Sequence, residues 1–273
     1  MNERWTAVVC IAACGIAWLA WVFVVLWRRP LTPAQNFLML INRLLTSLLW
    51  RAFAPREVPL PPGRGGVIVS NHRSSIDPCF LQRSTQRPIH WMVAREYVEH
   101  PAFRSFLKTC EVIPVNRGGI DTTAIRLALD YVRAGGLVGM FPEGHINTTD
   151  RLFLPVRPGA AMVAIKTRAI VLPCHITGSP FGGTAWSPLF IPARVTVRYG
   201  ETIDAAEYAD RIAAGEDEGQ LTRELLLRSL QAIARLAGED DFVPEIAGRN
   251  WHLKRPTAES AVIDEGAPTP TKS

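Results

Sequence analysis

Cysteine is scarce and unpatterned in this chain. Its five residues, Cys10, Cys14, Cys79, Cys110 and Cys174, are odd in number and include no CxxC pair. That argues against a disulfide framework or a zinc site and fits a reducing compartment. No arginine-rich tract or zinc-ligand spacing points to nucleic acid. There is no G-x-S-x-G stretch, so neither Ser74 nor Ser75 sits in a nucleophile elbow. No internal repeat is present. Charge is also missing in one place: Trp5 to Trp27 is 23 residues without Asp, Glu, Lys or Arg.

That uncharged run, as a helix, spans about 35 Å, enough to cross a hydrocarbon core with some tilt. Tryptophans mark both ends, where indoles favour the membrane interface. Arg28 and Arg29 follow at once, and Arg43, Arg51, Arg56 and Arg64 come later on the same side. The positive-inside rule then puts the C-terminal bulk in the cytoplasm, with a single-pass anchor over residues 1–29. A cleaved signal peptide is the rival reading. The run is long for one, and no small-residue cleavage site follows it. A second apolar stretch, within residues 30–58, carries polar residues at Asn36, Arg43, Ser47 and Arg51 among many leucines. Its spacing predicts a helix from Pro33 with a narrow polar stripe. Two arginines make a second span costly, which favours a helix lying in the membrane interface. A helix packed into the globular domain is the alternative.

The remainder is the size of one large domain. Apolar residues make up 48% of the 273, ample for a core, and the net charge of +5 suits an anionic partner. The Pro/Gly linker Pro59 to Gly66 marks the start of a domain over residues 59–248. Beyond it, apolar runs alternate with helical spacing. Strands are expected at Val67–Ser70, Ile89–Val93, Val112–Val115, Leu137–Phe141, Ile170–Ile176 and Arg194–Tyr199. Helices are expected at Pro78–Arg83, Pro101–Cys110, Asp121–Ala134 with Asp121 as cap, Gly159–Thr167 and Glu218–Leu236. The alternation predicts an α/β fold with a mostly parallel sheet flanked by helices. Residues 249–273 are polar and rich in Pro, Ala, Thr and Ser, and are expected to be disordered.

The chemistry-bearing positions follow strand candidates. Asn71-His72-Arg73-Ser74-Ser75-Ile76-Asp77 leaves the first strand. An imidazole that takes a proton needs a group to fix its tautomer and stabilise its positive charge, and a carboxylate does both. Positions i and i+5 do not face each other on a helix, so the segment must turn for His72 and Asp77 to meet. Three later stretches also end or interrupt strands. Val115-Asn116-Arg117-Gly118-Gly119 can offer a guanidinium and backbone N–H groups to one anion. Phe141-Pro142-Glu143-Gly144 puts a carboxylate on a tight turn, and Val171-Leu172-Pro173-Cys174-His175-Ile176 interrupts a strand with proline.

In this order, the four stretches resemble the four motifs of the glycerolipid acyltransferases, whose members include the enzymes that acylate 1-acyl-glycerol 3-phosphate. The resemblance covers roughly residues 60 to 200. It implies a catalytic pair, His72 as base and Asp77 as its orienting carboxylate, and substrate-binding roles for Asn71, Ser75, Arg117, Glu143, Gly144 and Pro173. The acceptor would be a lysophospholipid hydroxyl and the donor an acyl thioester, either of coenzyme A or of an acyl carrier protein. Membrane lipids would be the surroundings, and no metal or resident cofactor is implied. One departure stands out: the third motif, which often continues Thr-Arg-Ser, here reads His145-Ile146-Asn147. That leaves open glycerol 3-phosphate, another lysophospholipid or an amino-acid-containing lipid as acceptor. From a different class, a non-catalytic membrane lipid-binding protein is the further alternative, although it has no need of a base–carboxylate pair.

Overall fold

The computed structural model describes residues 12–17, 31–116, 121–184 and 186–248. Residues 12–17 are helical. The expected spanning segment otherwise lies outside the described residues, as do Arg117 and the C-terminal tail. Among the described residues, no helix is long and apolar enough to cross a membrane.

In chain order, the elements are α1 (Pro33–Leu48), β1 (Gly66–Ser70), α2 (Asp77–Gln82), β2 (Ile89–Ala94), α3 (Arg95–Glu99) and α4 (Pro101–Thr109). There follow β3 (Ile113–Val115), α5 (Thr122–Arg133), β4 (Leu137–Met140), α6 (Gly159–Thr167) and β5 (Ile170–Thr177). A 3₁₀ turn at Ser187–Phe190 precedes β6 (Thr196–Tyr199), β7 (Ile203–Asp204), α7 (Ala206–Ala213) and α8 (Glu218–Ala237). Local chemistry accounts for the helix starts. Asp121 caps α5 by accepting from the Ala124 N–H at 3.0 Å. Thr32 and Gln35 form a reciprocal capping box at α1, with Pro33 in the first turn.

The sheet runs β3-β2-β4-β1-β5-β6, with β7 also on β5. From β3 through β5 all neighbours are parallel, while β6 and β7 pair with β5 antiparallel. Alternating strand residues feed two cores, as pleating requires. Val67 and Val69 join the cluster beneath α5, α6 and α8. Ile68 joins Leu172, Phe80 and Trp50 on the other face. The close packing shows at Gly139, where any Cβ would lie 2.6 Å from the Trp91 ring. Only glycine at that position lets the indole lie flat on β4.

Pro173 does not break β5. It sits at the register where β7, paired up to Val171, has ended and β6, paired from Cys174, begins. At that junction a missing N–H leaves no antiparallel ladder partner unsatisfied.

The described α1 is an amphipathic helix turned polar side in. Gln35 Nε2 donates to the Thr109 carbonyl (3.2 Å) and Asn42 Nδ2 to that of Cys79 (3.0 Å). Arg83 Nη1 reaches Thr46 Oγ1 (3.0 Å) and Ser47 Oγ (2.7 Å). Phe37, Leu40, Leu44 and Leu48 are exposed, the last at 76%. The helix therefore docks onto the domain through Gln35, Asn42 and Thr46, and leaves the apolar strip Phe37, Leu40, Leu44 and Leu48 outward.

Candidate active site

Parallel strands bring their C-terminal ends to one edge of the sheet, where open α/β folds form their sites. Because β1 lies between β4 and β5, the loop after it is flanked by the loops that follow those two strands. The three stretches at 71–77, 141–147 and 176–179 meet there, although they are far apart in sequence.

The His72–Asp77 turn forms as the spacing requires. His72 Nδ1 lies 3.1 Å from Asp77 Oδ2. The same oxygen accepts the backbone N–H groups of Arg73 and Ser74, each at 2.7 Å. Asp77 Oδ1 accepts the Ser179 hydroxyl at 2.6 Å. The carboxylate is fully buried and has partners on both oxygens. With Nδ1 committed to Asp77, Nε2 is the imidazole nitrogen left to act on a substrate. The ring is also fixed from its face. It stacks on Phe141 with centroids 3.9 Å apart, and Phe141 stacks on Trp91 at 4.7 Å.

The backbone of His72 is clamped at both polar atoms. Its N–H donates to Glu143 Oε1 (2.8 Å), and its carbonyl accepts from the Asn147 N–H (2.7 Å). Glu143 Oε2 accepts the Leu154 N–H at 2.9 Å. Glu143 is thus wholly buried and knits three segments of backbone together. Burial pushes its carboxyl up to about 8, against the opposing pull of the two backbone donors and of Arg73. Arg73 itself points away from His72. It donates to the carbonyls of Asn147 (3.2 Å), Thr149 and Arg151 (2.9 Å), and so organises the segment after Glu143. Asn147, the departure from the expected motif, folds its side chain into that same segment, accepting from the Thr149 N–H and hydroxyl.

Asn71 pairs with Ile176 as a strand residue would. Its Nδ2 donates to the Ile176 carbonyl and its Oδ1 accepts the Ile176 N–H, both at 2.8 Å. The side chain extends the β1–β5 pairing by one step.

A cavity of about 1510 Å³, lined mainly by apolar groups, opens at the dyad. His72, Ser75, Gly144 and His145 line it, together with Leu38, Met39 and Leu45 of α1 and Phe103 and Phe106 of α4. Of the positions expected to bind substrate, Ser75 and Gly144 are therefore on its wall. Asn71, Glu143 and Pro173 are not; they are buried and hold the backbone around it. Arg117 lies outside the described residues. The ends of its loop are on the cavity wall at Asn116 and Asp121, joined by the Asn116 N–H to Asp121 Oδ2 bond of 2.9 Å. The site also holds residues to which the resemblance assigns no role: Phe141, Trp91, Arg73, Asn147 and Ser179. Phe141, Arg73 and Asn147 lie within or beside the motif stretches, and Ser179 carries a local sign, a glycine immediately before it at the end of a strand.

Residues 55–177 match the family model described as Acyltransferase. The 1-acyl-sn-glycerol-3-phosphate acyltransferase of Bacillus subtilis (strain 168) is 27% identical over 161 residues, covering 57% of this chain and 77% of that protein. The crystal structure of the 1-acyl-sn-glycerophosphate (LPA) acyltransferase PlsC from Thermotoga maritima is similar with a TM-score of 0.56 at 19% identity. It covers 80% of this chain and 88% of that one, a likeness of fold.

Proposed function

We propose, from the match of residues 55–177 to the Acyltransferase family model, that this chain transfers a fatty acyl group from a thioester to the free hydroxyl of 1-acyl-glycerol 3-phosphate. The observation that carries this reading is the His72–Asp77 pair, its carboxylate buried and its imidazole on the wall of a large apolar cavity. His72 Nε2 removes the acceptor's hydroxyl proton as the oxygen attacks the thioester carbonyl. Asp77 stabilises the imidazolium that forms. The tetrahedral intermediate collapses by breaking the C–S bond, and the imidazolium returns its proton to the departing thiolate. The products are the new ester and a free thiol. The acceptor supplies the nucleophile, so no acyl-enzyme is needed. The cavity's apolar wall suits the hydrocarbon chains of both substrates. Arg117 binds the acceptor phosphate, for which a forked and permanently charged group is well matched. Coenzyme A and an acyl carrier protein are both thioester donors compatible with this chemistry.

The chain works at a membrane surface, anchored by the uncharged run Trp5 to Trp27, with the catalytic domain on the cytoplasmic side. The distribution of arginines after that run supports the orientation. The outward apolar stripe Phe37, Leu40, Leu44 and Leu48 supports a helix lying among lipid headgroups above the cavity.

The test is thiol release by the purified full-length chain in detergent or vesicles, with an acyl thioester and a panel of acceptors. Release is expected to depend on added 1-acyl-glycerol 3-phosphate and to be lost in His72→Ala. Acceptor-independent release, or full activity in His72→Ala, overturns the reading. Preference for glycerol 3-phosphate or for a lysolipid with a larger headgroup reassigns the acceptor and leaves the dyad in place.

A further inference from the structure

Asp77 has two carboxylate oxygens, and only one of them is held by its own motif. Oδ2 takes the N–H groups of Arg73 and Ser74 together with His72 Nδ1. Oδ1 takes the hydroxyl of Ser179, which lies 102 residues further along the chain. The 2.6 Å separation is that of a hydroxyl donating to an ionised acceptor, the stronger kind of hydrogen bond.

Two features bring Ser179 there. The Asn71 amide is locked onto Ile176 by a pair of 2.8 Å bonds, which pins the end of β5 against the start of the His72 loop. Gly178 then turns the chain with φ +78°. A Cβ on residue 178 would lie 2.1 Å from the Arg194 carbonyl oxygen, so both the conformation and the close approach demand glycine. The turn is therefore rigid at the one point that decides where the next side chain goes.

We propose that Ser179 is a positioning residue of the catalytic dyad. Its hydroxyl fixes the rotation of the Asp77 carboxylate, so that Oδ2 faces His72 Nδ1. Without it, the carboxylate is held along one edge only and swings about its Cβ–Cγ bond. The base then loses its orientation while the cavity wall stays intact. The proposal rests on His72 being the base, and the test below separates the two.

The experiment compares purified wild type, Ser179→Ala, Ser179→Thr and His72→Ala in acyl transfer to 1-acyl-glycerol 3-phosphate. For Ser179→Ala, kcat is expected to fall by about 10-fold or more, by analogy with the loss of outer-shell partners of metal-ligating histidines. KM for the acceptor is expected to stay within about twofold, because Ser179 contacts Asp77 and not the acceptor. Ser179→Thr keeps the hydroxyl and is expected to recover most of kcat. The pH profile gives a readout that simple loosening of the fold does not. With the carboxylate free to swing away from Nδ1, the imidazolium is less well stabilised, so the acidic limb of kcat/KM is expected to move to lower pH. The other charged groups near the dyad, Glu143 and Arg73, are the same in all the Ser179 variants. Wild-type kcat and pH profile in Ser179→Ala, with His72→Ala inactive, overturn the positioning role alone. Full activity in His72→Ala overturns the catalytic reading on which it stands. A threonine variant no better than the alanine variant also counts against the hydroxyl.

Discussion

Replacing Glu143 by glutamine is expected to weaken the fold and slow catalysis without loosening acceptor binding. The carboxyl accepts one backbone N–H on each oxygen, from His72 at 2.8 Å and from Leu154 at 2.9 Å. An amide of the same shape has one oxygen. Its NH2 must face one of those two N–H donors, which leaves a fully buried donor without an acceptor. Such an orphan costs about 1–3 kcal/mol. In a domain of this size that lowers Tm by about 2–12 °C, readable by thermal denaturation in detergent. If the lost bond is the one to His72, the backbone of the base is released, and kcat is expected to drop with KM unchanged. A pH effect accompanies it. Burial raises the Glu143 carboxyl from its ordinary value near 4.5 to about 8. A raised carboxyl favours the protonated form in the folded state, so its contribution is fully present below about 4.5. That contribution is lost as pH climbs through about 8. Moving a carboxyl by one pH unit corresponds to about 1.4 kcal/mol, so this contribution amounts to a few kcal/mol. Glutamine has no proton to lose. The wild-type decline in Tm between about pH 5 and 8 is therefore expected to be steeper than that of Glu143→Gln. A variant with wild-type Tm at every pH and a raised acceptor KM would refute the reasoning, since that is the behaviour of a substrate-binding carboxylate.

Asp77→Asn keeps the shape and most of the hydrogen bonds of the carboxylate but removes the charge that stabilises the imidazolium. The expected outcome is a fall in kcat of about a thousandfold or more, with a Tm close to wild type. Arg117→Ala is expected to raise KM for a phosphorylated acceptor and leave KM for the thioester unchanged; equal KM values for the acceptor would remove the phosphate-binding role. Trp50→Ala removes a fully buried indole that packs edge-on to Phe80 at 5.6 Å and donates to the Pro188 carbonyl at 3.1 Å. It is expected to cost about 3–5 kcal/mol, seen as the largest Tm loss among these variants.

Where an interaction is local, residue types and their spacing reveal it directly. The Asp121 cap acts across three residues, and the α5 helix Thr122–Arg133 that it opens follows from its own apolar spacing. The His72–Asp77 pair closes a single turn, so its spacing carries the geometry. The short elements α3 and β7 leave no such mark, because each is too short to show a period. Ser187–Phe190 is silent for the same reason.

The motifs that contain Asn71 and Glu143 suggest substrate contacts for both. In the fold their partners are instead backbone atoms of Ile176, His72 and Leu154. No residue-type pattern announces such a partner, because almost every residue carries the same N–H and C=O. The inward polar face of α1 is a similar case. Its periodicity is plain, but which stripe meets the domain depends on Thr109, Cys79 and Arg83 offering partners across the gap.

The α/β alternation, the base–carboxylate turn and the likeness to acyltransferases are all written in the order of the amino acids, because each rests on short-range spacing or on ordered motifs. The placing of β1 between β4 and β5 is not. It emerges from the tertiary fold, and with it the closing of Glu143, Asn147 and Ser179 around His72 and Asp77. Parallel pairing joins strands that are distant along the chain, and the packing of both sheet faces selects their order.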